Sequence, residues 1–303
     1  MMLPSVGRLA DIAMLGRLAR AAEDAGLESV WVPHHDAIPG SRTSVYPYRQ
    51  SKTEAAFTPG VQWLDPFVTL GAIAAVTERI RLGTAVVIIT QRNPIVTATE
   101  VASLDQISGG RVEFGIGVGW MAEEFAALGM NFAERGAAAD EYIEAMRLLW
   151  SSPQPCSYHG KHLSFDDIVT TCRPVNGSVP IWVGGHTNPA LRRSAKLGDG
   201  WHGFEASIDD VAGYREKLEK YSADAGRDVS TLRMAVHRNL EPPFPATNYL
   251  PDRPVIRAAE AVETFKTYES LGIDLVVLDL HYAPDEVVKV LEWVGAELVP
   301  ALR

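Results

Sequence analysis

The sequence predicts an α/β protein of the closed (β/α)8 (TIM) barrel class, and three observations carry that prediction. Seven short apolar runs rich in β-branched and aromatic residues recur along the 303 residues, helical patterns separate them, and residues with start and stop chemistry bound those patterns. Strict alternation of this kind implies a parallel sheet with crossover helices, and the count favours a closed barrel over an open doubly wound sheet. The runs are ESVWVP (28–33), RIRLGTAVVI (79–88), RVEFGIGVG (111–119), PIWVGG (180–185), DGWHGF (199–204), TLRMAVH (231–237) and IDLVVLDL (273–280). Their near-continuous apolar character marks strands buried on both faces. Asp65-Pro66, Asn93-Pro94 and Asn188-Pro189 each pair a capping side chain with a Pro suited to the first helical turn, and Gly26, Gly109 and Gly272 mark helix ends. A single barrel domain over 1–303 is the expected organisation.

The first barrel strand is missing from this count. The chain opens MMLPSVGRLAD and enters a helix near Asp11, so Met1 to Pro4 supply at most a short or abbreviated strand one. Two connections exceed what a barrel needs, 34–64 after strand two and 152–178 before strand five. Long ordered loops in compact domains are usually functional. The first of them carries Tyr46, Tyr48, Phe57 and Trp63, and a further loop, 239–254, follows strand seven.

Composition narrows the function. The chain is 47% hydrophobic and 22% charged, ordinary for a globular protein, with a net charge of −10 that disfavours nucleic acid and anionic membrane surfaces. A small-molecule partner is expected. No apolar run is long enough to span a bilayer and the first residues do not read as a signal peptide, so a cytoplasmic location is expected. Cys156 and Cys172 lack a C-x-x-C partner and read as incidental thiols.

Barrel chemistry sits at the C-terminal ends of the strands. After strand two stand His34, His35 and Asp36, where an imidazole can exchange a proton near neutral pH. After strand five GGHTNPA sets two glycines before a helix, so its amides and dipole can hold a phosphate. Trp201 and His202 follow strand six. A metal site would need His34, His35, Asp36 and His202, but adjacent residues on one loop chelate poorly and no carboxylate ring accompanies them, so no metal is expected. The five glycines of LDQISGGRVEFGIGVGW (104–120) call for a close approach of backbone or ligand. They do not form a dinucleotide loop: after Gly115 and Gly117 the third glycine of G-x-G-x-x-G falls on Trp120.

The stretch 63–125, from WLDPFVTL to GVGWMAEEF, followed by IWVGGHTNPALRRSAKLGDGWHG, resembles the luciferase-like monooxygenase superfamily, and within it the oxidoreductases dependent on the deazaflavin coenzyme F420. The resemblance implies a barrel that holds a flavin or deazaflavin at its C-terminal mouth. Gly117, Val118 and Gly119 would then keep a low wall for the ring, with a non-proline cis peptide at Ala85-Val86 behind it. The phosphate would fall on Gly184, Gly185, His186 and Thr187. Relatives carry an acidic residue and then His after strand two; His35 matches that histidine, and His34 stands at the acidic position beside the cofactor. His35 is thereby expected as hydrogen-bond donor or general acid in hydride transfer.

The same resemblance implies F420 as cofactor, with FMN as the alternative. An FMN enzyme would be a monooxygenase using oxygen and a flavin reductase partner; a non-catalytic flavin-binding barrel is the third reading. The sugar-phosphate dehydrogenases of the superfamily carry a catalytic Glu where this chain has Trp120, which makes sugar phosphates poor candidates. Tyr46, Trp63, Trp120 and Trp201 are expected to line an apolar, ring-accepting substrate pocket, and Arg49, Lys52, Arg92, Arg192 and Arg193 to form a basic rim for the anionic tail. A homodimer is implied by the relatives.

Overall fold

In a computed structural model, which describes residues 1–7, 10–48, 57–247 and 254–303, the strands curl into a parallel barrel wrapped by helices. In chain order the strands are β1 (Ser29–Val32), β2 (Arg81–Thr84), β3 (Val87–Ile88), β4 (Val112–Gly117), β5 (Cys156–His159), β6 (Ser164–Ile168), β7 (Ile181–Gly184), β8 (Gly200–Gly203), β9 (Arg233–Glu241), β10 (Val255–Arg257) and β11 (Leu275–Asp279). Neighbours run β1-β2-β4-β7-β8-β9, and β11 pairs with β9, all in parallel. Residues 1–3 close the ring. Met2 bridges Trp31 in parallel and donates its amide to Leu278 O at 2.8 Å, while Leu3 donates to Trp31 O at 2.8 Å. The short first strand thus occupies the place between β1 and β11.

The helices begin where their sequence signals stand. Asp65 caps the helix Pro66–Ala74 by accepting from Phe67 N and Val68 N, and Asn93 caps the helix Pro94–Ser108 by accepting from Ile95 N and Val96 N. Each cap satisfies amides the first turn leaves open, worth about 1 kcal/mol. In the third case the cap is Thr187 rather than Asn188, whose residue already lies inside the helix Asn188–Leu197. The connection 152–178 contains the antiparallel hairpin β5–β6, and β10 extends the sheet beside β9; neither was legible as a strand.

Two cores result. Between strands and helices lies a broad aliphatic layer including Leu18, Ile73, Val101, Ile143 and Leu191. Inside the barrel a smaller cluster of Trp31, Trp182, Ala235 and Val277 fills the axis. The two indoles meet edge to face, 5.9 Å between centroids. A Cβ on Gly83 would collide with the Trp31 ring and one on Gly200 with the Trp182 ring, so these strand glycines are room for indoles. At the N-terminal end Glu113 accepts from Trp182 Nε1 at 2.5 Å and pairs with Arg81, plugging that end with charge.

Candidate active site

The C-terminal ends of β1 and β4 place His35 beside a carboxylate that sequence reasoning did not single out. Glu124, on the short helix Ala122–Ala127 that follows β4, has a fully buried side chain. Its Oε2 lies 2.7 Å from His35 Nδ1, and its Oε1 accepts the Asp36 amide at 2.9 Å and the Ala37 amide at 3.0 Å. Burial is the largest single influence on this carboxyl and would raise its pKa. The hydrogen bond and charge of His35 and the Ala37 amide outweigh it and hold the pKa below the ordinary carboxylate value. An ionised carboxylate only accepts, so Nδ1 of His35 carries the hydrogen, which leaves Nε2 as the ring's acceptor nitrogen. The arrangement is that of an imidazole oriented by a buried carboxylate.

Aromatic rings enclose His35. Phe57, Trp63 and Trp120 lie at centroid distances of 5.1, 4.9 and 6.2 Å, and Tyr46 completes the wall against Trp120 at 5.3 Å. Three of the four pocket residues expected from sequence, Tyr46, Trp63 and Trp120, therefore come together around the imidazole. Trp201 does not. It is fully buried on the outer side of β8, against Tyr214, with Nε1 donating to Gly185 O at 2.9 Å.

The expected ring-binding ledge is built differently from a bare glycine wall. The Ala85-Val86 peptide is cis. The Val86 side chain lies across the strand ends, where a Cβ on Gly117 would come 2.7 Å from its Cγ2 and one on Gly184 3.0 Å from its Cγ1. Gly117 and Gly184 thus make room for the Val86 side chain. Val118 and Gly119 are part of the rim: Val118 O accepts from Thr90 Oγ1 at 3.5 Å, and Gly119 leaves space for Phe125 and Ile88.

The Gly184–Thr187 turn leads into the helix that Thr187 caps, and Gly185, at φ +122°, has Tyr48 Oη in van der Waals range of a Cβ built there. His186 is committed to the framework: its Nε2 accepts from Phe204 N at 3.1 Å and its ring stacks on Tyr214 at 4.9 Å. His34 is likewise a wall residue. Its side chain is fully buried, Nδ1 accepts from Ile88 N at 3.1 Å, and Nε2 lies 3.0 Å from Asp36 Oδ1. It ties the end of β1 to β3.

The basic rim is largely spent. Arg92 serves Asp36, Asp65 and Glu100, Arg193 is buried on Asp140 and Gly136 O, and Arg192 lies over the Tyr221 ring at 4.9 Å. Arg49 and Lys52 lie outside the described residues. Among the described residues no three His, Cys, Asp or Glu side chains converge as a metal site would require, and no helix is long and apolar enough to cross a membrane.

Comparison with known proteins agrees with this geometry. A family model described as luciferase-like monooxygenase matches residues 3–240. An uncharacterised protein of Mycobacterium tuberculosis (strain ATCC 25618 / H37Rv) is 36% identical over 214 residues, covering 69% of this chain and 74% of that one. Among solved structures, an F420-dependent secondary alcohol dehydrogenase in complex with an F420-acetone adduct superposes with a TM-score of 0.76 at 19% identity, over 96% of this chain and 95% of that one. A riboflavin lyase with modified FMN and riboflavin gives a TM-score of 0.79 at 15% identity, over 97% and 85%. The structural likenesses show the shared fold.

Proposed function

The chain belongs to the luciferase-like monooxygenase family, and from that premise we propose that it is an oxidoreductase transferring a hydride between the deazaflavin F420 and a small uncharged organic substrate. The observation that carries this reading is the His35–Glu124 pair set among Phe57, Trp63 and Trp120 at the barrel mouth. The residues fit a flat ring and a phosphate: Val86 offers an apolar ledge, and the Gly184–Thr187 turn offers backbone amides at a helix start. A bound deazaflavin supplies hydride exchange at its C5.

The chain's own residues handle the proton. His35, held through Nδ1, gives a proton from Nε2 to a substrate oxygen in the reducing direction, or takes one in the oxidising direction. Glu124 stabilises the imidazolium form and fixes the ring plane. Phe57, Trp63 and Trp120 exclude water from this exchange and favour a ring-bearing or otherwise apolar substrate body.

Titration of purified protein with F420 and, separately, with FMN tests the reading. Tight binding of F420 together with turnover of ketones, enones or alcohols is the expected result. Tight binding of FMN alone would replace it with an oxygen-using monooxygenase, and binding of neither would overturn it.

A further inference from the structure

The imidazole at the barrel mouth is shut in. Only 7% of the His35 side chain is exposed, so a substrate reaches Nε2 only when part of the surrounding wall moves. Two of the wall residues are tied to the barrel. Trp63 bridges Val6 beyond the first strand, the next amide, Leu64 N, donates to Ser5 O at 3.3 Å, and Trp120 stands just past the end of β4. Tyr46 is held otherwise. It stands on a strap, residues 43–48, that belongs to no helix or strand.

One carboxylate fastens the near end of this strap. Glu123 Oε1 accepts from Thr43 N at 2.5 Å, from Thr43 Oγ1 at 2.9 Å and from Ser44 N at 3.1 Å, while Ser44 Oγ accepts from Ala122 N at 3.0 Å. Among the described residues all the hydrogen bonds of the Glu123 carboxylate go to the strap, and its Oε2 makes none. The Thr43 amide above all holds this carboxyl down at about 2, so it stays ionised at every working pH. Beyond Ser44 the chain alternates. Val45 and Pro47 face solvent, whereas Tyr46 meets Phe57 at 5.4 Å and Tyr48 meets His186 at 5.2 Å and Phe204 at 5.8 Å. The strap therefore runs from the end of β4 over the ends of β7 and β8, across both the proton site and the Gly184–Thr187 turn.

We propose that Glu123 is the latch of this strap: while its carboxylate holds Thr43 and Ser44 the mouth is closed, and release of those bonds admits cofactor and substrate. The inference rests on the oxidoreductase reading for what enters and on the geometry alone for what moves. Two neighbouring glutamates divide the loop between them. Glu124 holds the segment His35–Ala37, which must stay in place for proton transfer, and Glu123 holds Thr43 and Ser44, whose departure leaves His35 where it is. The Thr43 bonds lie at the exposed surface, so water replaces them as the strap lifts, and opening costs far less than local unfolding of the barrel.

Diethyl pyrocarbonate, which acylates neutral imidazole, reads the closure in purified protein without added cofactor. Mass spectrometry follows His35 against His159, whose side chain is 65% exposed. In wild type His35 should react at least about tenfold more slowly than His159. Glu123→Ala should raise the His35 rate about tenfold, the low end of what a hydrogen bond to a charged group is worth, and leave His159 unchanged; Glu123→Gln, which keeps an acceptor oxygen, should fall between. Amide hydrogen exchange in Glu123→Ala should quicken at Thr43 and Ser44 and hold at Asp36 and Ala37. A wild-type His35 as reactive as His159, a His35 rate unchanged by Glu123→Ala, or equal loss of protection at all four amides overturns the latch. Stopped-flow binding of F420 and of FMN supplies the second arm: whichever binds should associate faster with Glu123→Ala, and equal association rates overturn the latch as a gate. Binding of neither overturns the oxidoreductase reading and leaves the latch to the acylation result.

Discussion

Glu124 holds His35 by one carboxylate oxygen, 2.7 Å from Nδ1, and holds the backbone beyond that histidine by the other, through the Asp36 and Ala37 amides. One buried side chain thus sets both the tautomer of the ring and the path of the loop that carries it. The two residues are 89 positions apart, one on the loop after β1 and the other on the short helix after β4, so only the closed barrel brings them together.

Removing the imidazole separates chemistry from binding. His35→Ala should lower turnover at least about tenfold, at the modest end of what a positioned acid or base supplies. Cofactor affinity should change little, because the ledge at Val86 and the Gly184–Thr187 turn stay in place. Parallel cofactor titrations and steady-state assays check this; unchanged turnover removes His35 from the mechanism.

Replacing the carboxylate should act through the histidine. Glu124→Gln keeps an oxygen for the backbone amides but loses the charge that supports the imidazolium, so turnover should fall about tenfold or more with an altered pH profile. Glu124→Ala also strands the buried amides and should cost about 3 kcal/mol of stability. Comparing kcat against pH with thermal melts separates the roles: a melt shift with an unchanged pH profile would falsify orientation of His35 by Glu124.

Two glycines one pleat apart on β4 should fail in different ways. A Cβ at Gly115 would collide with the Thr84 carbonyl, which is backbone and cannot yield, so Gly115→Ala should destabilise by about 3 kcal/mol or more. A Cβ at Gly117 meets only the Val86 side chain, at 2.7 Å, so Gly117→Ala should displace that ledge, weakening cofactor affinity about tenfold at a smaller cost in stability. Equal losses of melting temperature in both variants would show that Val86 is framework and not ledge.

What the sequence disclosed depended on whether a signal was local. The apolar runs, the Asp65 and Asn93 caps and the left-handed turn at Gly109 are fixed by neighbours within a few residues, and each was readable. His35 was readable because barrel chemistry gathers at strand ends and because the motifs resemble a known family. Glu124 was not, since AEEF after a glycine-rich strand reads as a helix start with acidic residues in its first turn. The hairpin β5–β6 escaped because its exposed, polar alternation follows no buried-strand pattern. Arg92 looked available for a phosphate only until its three carboxylate partners were placed around it.

The buried, hydrogen-bonded pair His202 and His237 gives the protein a dependence on mild acid. Burial, then the adjacent His237, then the Met1 amino group hold the His202 pKa well below its ordinary 6.5. The folded state therefore keeps this ring neutral where the unfolded chain takes up a proton. The contribution to stability is fully present above the unfolded pKa and is lost as pH falls beneath it, with a slope approaching about 1.4 kcal/mol per pH unit for one such site. Carboxylates such as Glu124, held below 4.5, titrate beneath the pH window from 6.5 down to 5, and the Met1 amino group, lowered by burial to about 5, adds its own slope there to both proteins, so the difference between them reports His202. Urea unfolding of wild-type and His202→Phe proteins across that window should give curves that diverge, the wild type losing stability more steeply. Parallel curves would mean that this ring takes up its proton in the folded barrel as easily as in the open chain.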